Sequence, residues 1–161
     1  GMTDYTKLVN FLCGRQSRNE TIVDNIVKCA KEGRKQIVLS LRVDHCEVLV
    51  KMLQERGVNA KLCVGKTSAK KREEILKQQV DWDVIVATYS LLKEGVSIKE
   101  LDTLHLCSPA KEKGLIVQCA GRIERYLENK KQPLIYDYVD MDIPYCERAY
   151  KKRKSALRNR F

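Results

Sequence analysis

The sequence predicts an α/β domain, a mostly parallel sheet of five to six strands held between helices in three layers. Three observations lead there. Short apolar, β-branched runs recur with helical stretches between them, and such alternation is the pattern of parallel crossovers. Several runs, among them 36–41 (QIVLSL) and 83–88 (DVIVAT), lack polar alternation, as strands covered on both faces do. Finally, 161 residues with 43% hydrophobic and 32% charged side chains suffice for one unstapled core and argue against wholesale disorder.

The elements follow in order. Gly1 ahead of Met2 reads as left over from tag removal, and residues 1–18 form an extension with no clear element. Asn19 can cap a helix whose Ile22, Val23, Ile26, Val27 and Ala30 share one face, with Gly33 as its stop. Strand 36–41 comes next, then a helix over 43–56 with Cys46, Leu49, Val50 and Leu53 at i, i+3, i+4, i+7 spacing, ended by Gly57. Residues 60–64 read as a strand, 68–78 as a charged helix, 83–88 as a strand, and 103–107 as a strand closed by Pro109. Residues 115–126 read as a helix, 133–139 (PLIYDYV) as a strand, and a last helix starts near 143. The domain proper is placed at 19–150, with 151–161 as a basic tail.

Composition narrows the function. No apolar run nears the ~20 residues that span a bilayer, and the start has no apolar signal core, so no membrane role is expected. The seven cysteines form no CxxC pair and sit mostly among aliphatic residues. They read as reduced, structural thiols of a cytoplasmic protein. The net charge is +10, and residues 145–161 alone hold seven basic side chains against Glu147, a net +6. Such a segment suits a polyanion, or is simply a solvated helix end. With only 6% aromatic residues, phosphate contact is a better expectation than base stacking.

Two patterns imitate nucleotide-binding motifs. Residues 60–67 (AKLCVGKT) fit a relaxed phosphate loop, but the positions that should wrap phosphate are strand formers and no strand precedes them. Gly65 and Lys66 fit better in a strand-to-helix turn, with Lys66 near nucleic acid. Residues 134–137 (LIYD) imitate an acidic Mg²⁺ strand, yet no second acid follows Asp137, which reads as structural. His45 and His105 are the sole histidines and read as satisfied structural residues.

Residues 118–125 (QCAGRIER) carry the most chemistry. On a helix Gln118, Arg122 and Arg125 share one stripe, while Leu115, Ile116, Cys119, Ala120 and Ile123 can face the sheet. Gly121 permits a close approach. Two planar, permanently charged forks aimed one way suit phosphate oxygens. An amphipathic helix with a polar outer face would look the same.

This segment resembles motif VI (Q-x-x-G-R-x-G-R) of superfamily-2 helicases. Residues 87–98 (ATYSLLKEGVSI) resemble motif V, with LDTLHLCSP as its continuation, and 37–49 (IVLSLRVDHCEVL) resemble motif IV. The three stand in the family's order, from about residue 19 to 150. The resemblance implies the second, C-terminal RecA-like domain, a P-loop NTPase-type sheet. It gives Arg122 and Arg125 the arginine-finger role toward ATP, places Gln118 beside them, and puts a tight turn at Gly95. Thr88, Ser40 and Arg42 would lie on the nucleic-acid path, with Gly65 and Lys66 close by. ATP and Mg²⁺ would be held mainly by a first, N-terminal RecA-like domain of the same parent chain, and the partner polymer would be DNA or RNA. The isolated domain is then expected to be inactive. Two departures stand out: Glu124 replaces the second motif VI glycine, and Ser97 replaces the acid common after Gly95. The alternatives are a small self-sufficient NTPase using Gly65, Lys66 and Thr67, or a non-catalytic nucleic-acid-binding module.

Overall fold

The computed structural model describes residues 4–77, 81–93, 101–108, 132–140 and 144–158. Six helices are described: α1 (Asp4–Cys13), α2 (Gln16–Lys31), α3 (Val43–Glu55), α4 (Ala69–Lys77), α5 (Ser90–Lys93) and α6 (Pro144–Arg158). The strands are β1 (Gln36–Ser40), β2 (Ala60–Cys63), β3 (Val84–Thr88), β4 (Thr103–Leu106) and β5 (Leu134–Asp137). They form one sheet in the order β2-β3-β1-β4-β5, and every pairing is parallel.

Why the central runs are continuously apolar is now plain. Strands β1, β3 and β4 are buried along their whole length, so both pleat faces need apolar cover. Val38, Val84 and Val86 face a cluster with Ile22 and Ile26 of α2 and Leu49 and Leu53 of α3. Ile37, Leu39, Ile85 and Ala87 point the other way, onto Trp82, Leu104, Leu106, Ile75 of α4 and Leu91 of α5. The edge strands differ. Strand β2 exposes Lys61 between buried ends, and β5 is half-buried throughout.

The two helix stops expected from glycine are built as expected. Gly33 and Gly57 have φ of +77° and +79°. Beyond them, Arg34 N–H donates to Cys29 O (3.1 Å) and Val58 N–H to Leu53 O (3.0 Å), closing each helix with a left-handed residue. The start of α2 differs from expectation. It begins at Gln16, and Asn19 lies buried at the end of its first turn. Asn19 is not a cap because its amide is claimed by tertiary partners: Nδ2 donates to Cys13 O (3.0 Å) and Oδ1 accepts from His45 (2.8 Å). The N-terminal extension also contains a helix, α1, anchored by fully buried Val9 and Leu12. At the other end α6 runs through residue 150 without a break. The helix expected over 115–126 lies outside the described residues.

Six of the seven cysteines are described. All are free and five are buried, and burial pushes the Cys46 thiol up to about 12 and that of Cys107 upward as well. They serve as small apolar groups. Among the described residues, no helix is long and apolar enough to cross a membrane.

Candidate functional site

An all-parallel sheet sends every strand's carboxyl end to one edge, and loops at that edge can converge. Here they do. Ser40 and Thr88 are paired at the last register position of β1 and β3, and the next residue, Tyr89, donates its N–H to Ser40 O (3.2 Å). Ser108, two residues past β4, joins both loops. Its Oγ accepts from Leu41 N–H (2.9 Å), and its carbonyl accepts from the Tyr89 hydroxyl (3.0 Å). The first residues after β1, β3 and β4 are therefore one hydrogen-bonded unit.

The sequence-derived candidates occupy this edge unevenly. The Ser40 side chain is fully buried, with its hydroxyl 2.8 Å from His45 Nδ1 and accepting from Arg42 N–H at 3.3 Å. Arg42 precedes α3 and is half-buried, its Nε donating to Asn10 Oδ1 of α1 (3.1 Å). Thr88 is buried, with its hydroxyl 2.8 Å from that of Ser90 at the start of α5. Gly65 and Lys66 lie in the turn after β2, where Lys66 is exposed and pairs with Glu47 (2.7 Å). Gln118, Arg122, Arg125, Gly95, Glu124 and Ser97 lie outside the described residues.

No phosphate loop forms at residues 60–67. Residues 60–63 are locked in the β2–β3 ladder. The turn closes on itself, with Val64 N–H donating to Thr67 Oγ1 (3.0 Å) and Thr67 N–H to Val64 O (2.9 Å). A phosphate cradle needs several free amides pointing at one centre, so this turn does not fit ATP.

Two relays run from the sheet into α2. Asn19 Oδ1 can only accept, so His45 Nε2 carries the hydrogen and Nδ1 accepts from Ser40 Oγ. Likewise His105 Nε2 donates to Gln36 Oε1 (2.6 Å), and His105 Nδ1 accepts from the Tyr138 hydroxyl (2.9 Å). Burial, aided by Arg18 and opposed by Asp44, lowers His45 to about 4, and burial lowers His105 to about 3. The Ser40–His45–Asn19 order looks like a nucleophile relay. With Ser40 at 0% and His45 at 2% exposure, it is closed to a substrate and is structural.

Three arginines complete the edge, Arg18 and Arg153 buried and Arg15 half-buried. Arg18 donates to Cys107 O (2.6 Å), Tyr138 O (3.0 Å) and Asp140 Oδ2 (2.9 Å), and Arg15 binds the other oxygen of Asp140 (2.9 Å). They line an open cavity of about 250 Å³ with Ser17, Thr21 and Val139. Because both guanidiniums bind Asp140, their charge is partly cancelled. Arg153 of α6 grips Asp137 with two 2.7 Å bonds, which gives Asp137 its structural role. Sequence reasoning missed Ser108, Tyr89, Asn10, Arg18, Asp140 and Arg153. Ser108 alone had a local signal, as the residue between an apolar strand and Pro109.

A family model described as the helicase conserved C-terminal domain matches residues 17–127. A probable helicase of Escherichia phage T5 is 30% identical over 122 residues, covering 74% of this chain and 27% of its own length. The ATP-dependent DNA helicase uvsW of Enterobacteria phage T4 is 22% identical over 138 residues, 84% of this chain and 28% of its own length. The crystal structure of T4 UvsW superposes with a TM-score of 0.77 at 19% identity, covering 99% of this chain and 35% of that one. S. cerevisiae Dbp5 bound to RNA and ADP BeF3 superposes with a TM-score of 0.70 at 11% identity, covering 88% of this chain and 36% of that one. The chain thus spans about a quarter of the length of these curated relatives. With its all-parallel sheet and a match over more than half its length, the chain belongs to the helicase conserved C-terminal domain family, as the second RecA-like domain of a superfamily-2 helicase.

Proposed function

We propose that this domain is half of an ATP-driven nucleic-acid motor. The observation that carries the reading is the single edge to which the chain runs after β1, β3 and β4, in a chain whose residues 118–125 resemble a phosphate-facing motif. Strand β4 ends at this edge, and that segment begins twelve residues later in the sequence. Arg122 and Arg125 then offset charge on the γ-phosphate during phosphoryl transfer, with Gln118 beside them and Gly95 shaping the motif V turn. The triphosphate and Mg²⁺ rest on a first RecA-like domain, because the turn at Gly65 cannot wrap phosphate. When bound there, ATP supplies the free energy of the cycle.

The nucleic-acid backbone lies along the same edge. Arg42 and Lys66 offer charge to phosphates, the Gly65 turn gives room, and the Thr88 loop offers the hydroxyl of exposed Ser90, which Thr88 holds. The buried Ser40 acts through Arg42 and Tyr89, whose amides it holds. Closing the two domains on ATP would shift this edge along the strand. T4 UvsW is described as an ATP-dependent DNA helicase and the Dbp5 structure as bound to RNA, so either polymer is compatible.

The test uses the complete protein with both RecA-like domains. Arg122→Ala and Arg125→Ala should each cut nucleic-acid-stimulated ATPase by roughly 10³-fold or more, as removal of an arginine finger does, while oligonucleotide binding persists. Unchanged ATPase in both variants refutes the reading.

A further inference from the structure

The basic residues from Arg148 to Arg158 lie on a helix. Helix α6 spans Pro144–Arg158, and its inner face is pinned. Cys146 and Arg153 are buried, and Arg153 is bolted to Asp137 at the carboxyl end of β5. With Tyr150, half-buried, these residues sit at i, i+4 and i+7, one face of the helix. Arg148, Lys151, Lys152 and Ser155 are all exposed and follow i, i+3, i+4, i+7, a stripe on the opposite face. Lys154 flanks it, its ammonium over the Tyr150 ring (5.9 Å). The one acid is Glu147, paired with Lys151 (3.1 Å).

We propose that the outer face of α6 is a second nucleic-acid contact, in which Arg148, Lys151 and Lys152 bind successive backbone phosphates. This rests on the motor reading above. The bolt aims three cations one way with their helix already ordered, so little entropy is lost on binding. Charge complementarity names the partner as a polyanion. A membrane surface is disfavoured, because an interfacial helix buries an apolar face in lipid, whereas the outer stripe has no apolar residue and the inner face is used by the fold. The strand order places β5 two strands from β1, roughly 10 Å away. With the ~10 Å width of α6 added, a strand leaving the main edge has roughly 20 Å to cover to reach both contacts.

Deleting the chain after Tyr150 would remove Arg153 and strand Asp137, so the test neutralises charge instead. The triple variant Arg148→Gln/Lys151→Gln/Lys152→Gln and the single Arg42→Ala are each titrated with a fluorescent single-stranded oligonucleotide at several salt concentrations. The triple variant should keep its melting temperature and lower the slope of log K against log salt by about 2, since each lost phosphate contact removes about 0.7. Glu147→Gln should tighten binding. An unchanged slope in the triple variant with weakened binding by Arg42→Ala overturns this inference and leaves the motor reading intact. Unchanged binding in Arg42→Ala with a lowered slope in the triple variant upholds α6 as a contact and counts against the edge proposed above. Loss of affinity for phosphatidylserine vesicles without any change toward the oligonucleotide also overturns it, in favour of a membrane contact.

Discussion

At the scale of single residues, the two buried histidines make the fold sensitive to acid. Each must stay neutral, because Nδ1 accepts a hydrogen bond, from Ser40 in one relay and from Tyr138 in the other. Protonation would turn that acceptor into a donor and place a charge in the core. In the unfolded chain both titrate near 6.5, while burial holds them at about 4 and about 3 in the fold. Between those values the unfolded state binds protons that the native state refuses. Stability is therefore full above pH 6.5 and falls as pH drops toward 4, then further toward 3. Every tenfold loss of proton affinity on folding corresponds to about 1.4 kcal/mol, so the two sites together withdraw several kcal/mol. Thermal melting across this range should show a steep decline that becomes shallower in His45→Gln. An equally steep decline in that variant would mean the relay does not control it.

At the scale of elements, α1 is more than a lead-in. Its Asn10 holds the Arg42 guanidinium (3.1 Å) and its last residue, Cys13, accepts from Asn19 (3.0 Å), so α1 braces the loop after β1. In oligonucleotide binding, Asn10→Ala should weaken affinity about 2- to 10-fold, the worth of one typical solvent-exposed hydrogen bond, and should do nothing further in an Arg42→Ala background. Additive losses would deny the coupling. The sequence could not foretell this helix. Its pattern is short, and the partners that fix Asn19 as a buried relay instead of a cap lie on α1 and α3. Continuous apolar runs did announce β1 and β3, and glycines announced the ends of α2 and α3, because those signals are local. Arg153 stayed hidden inside a basic run, since only its distance to Asp137, 16 residues back, separates it from its solvated neighbours.

At the scale of the whole molecule, the proposed function makes the sheet edge half of a site. Its strand ends are tied by Ser108 and Tyr89, yet the phosphate-loop-like turn at Val64–Thr67 is closed on itself. The lysine that a phosphate loop would use, Lys66, is paired with Glu47 on α3. If hydrolysis needs a phosphate loop from one RecA-like domain and arginines from another, the 161-residue chain alone supplies only the second part. Its ATP turnover, with or without oligonucleotide, should then match a protein-free control, and Lys66→Ala should leave that background unchanged. Joining the first RecA-like domain should restore turnover that depends on Arg122 and Arg125. Magnesium-dependent hydrolysis by this chain alone, abolished in Lys66→Ala, would instead require the turn at Val64–Thr67 to open into a cradle. It would have to break the two hydrogen bonds that now close it and release Lys66 from Glu47. The shared-site account would then fail at its first step.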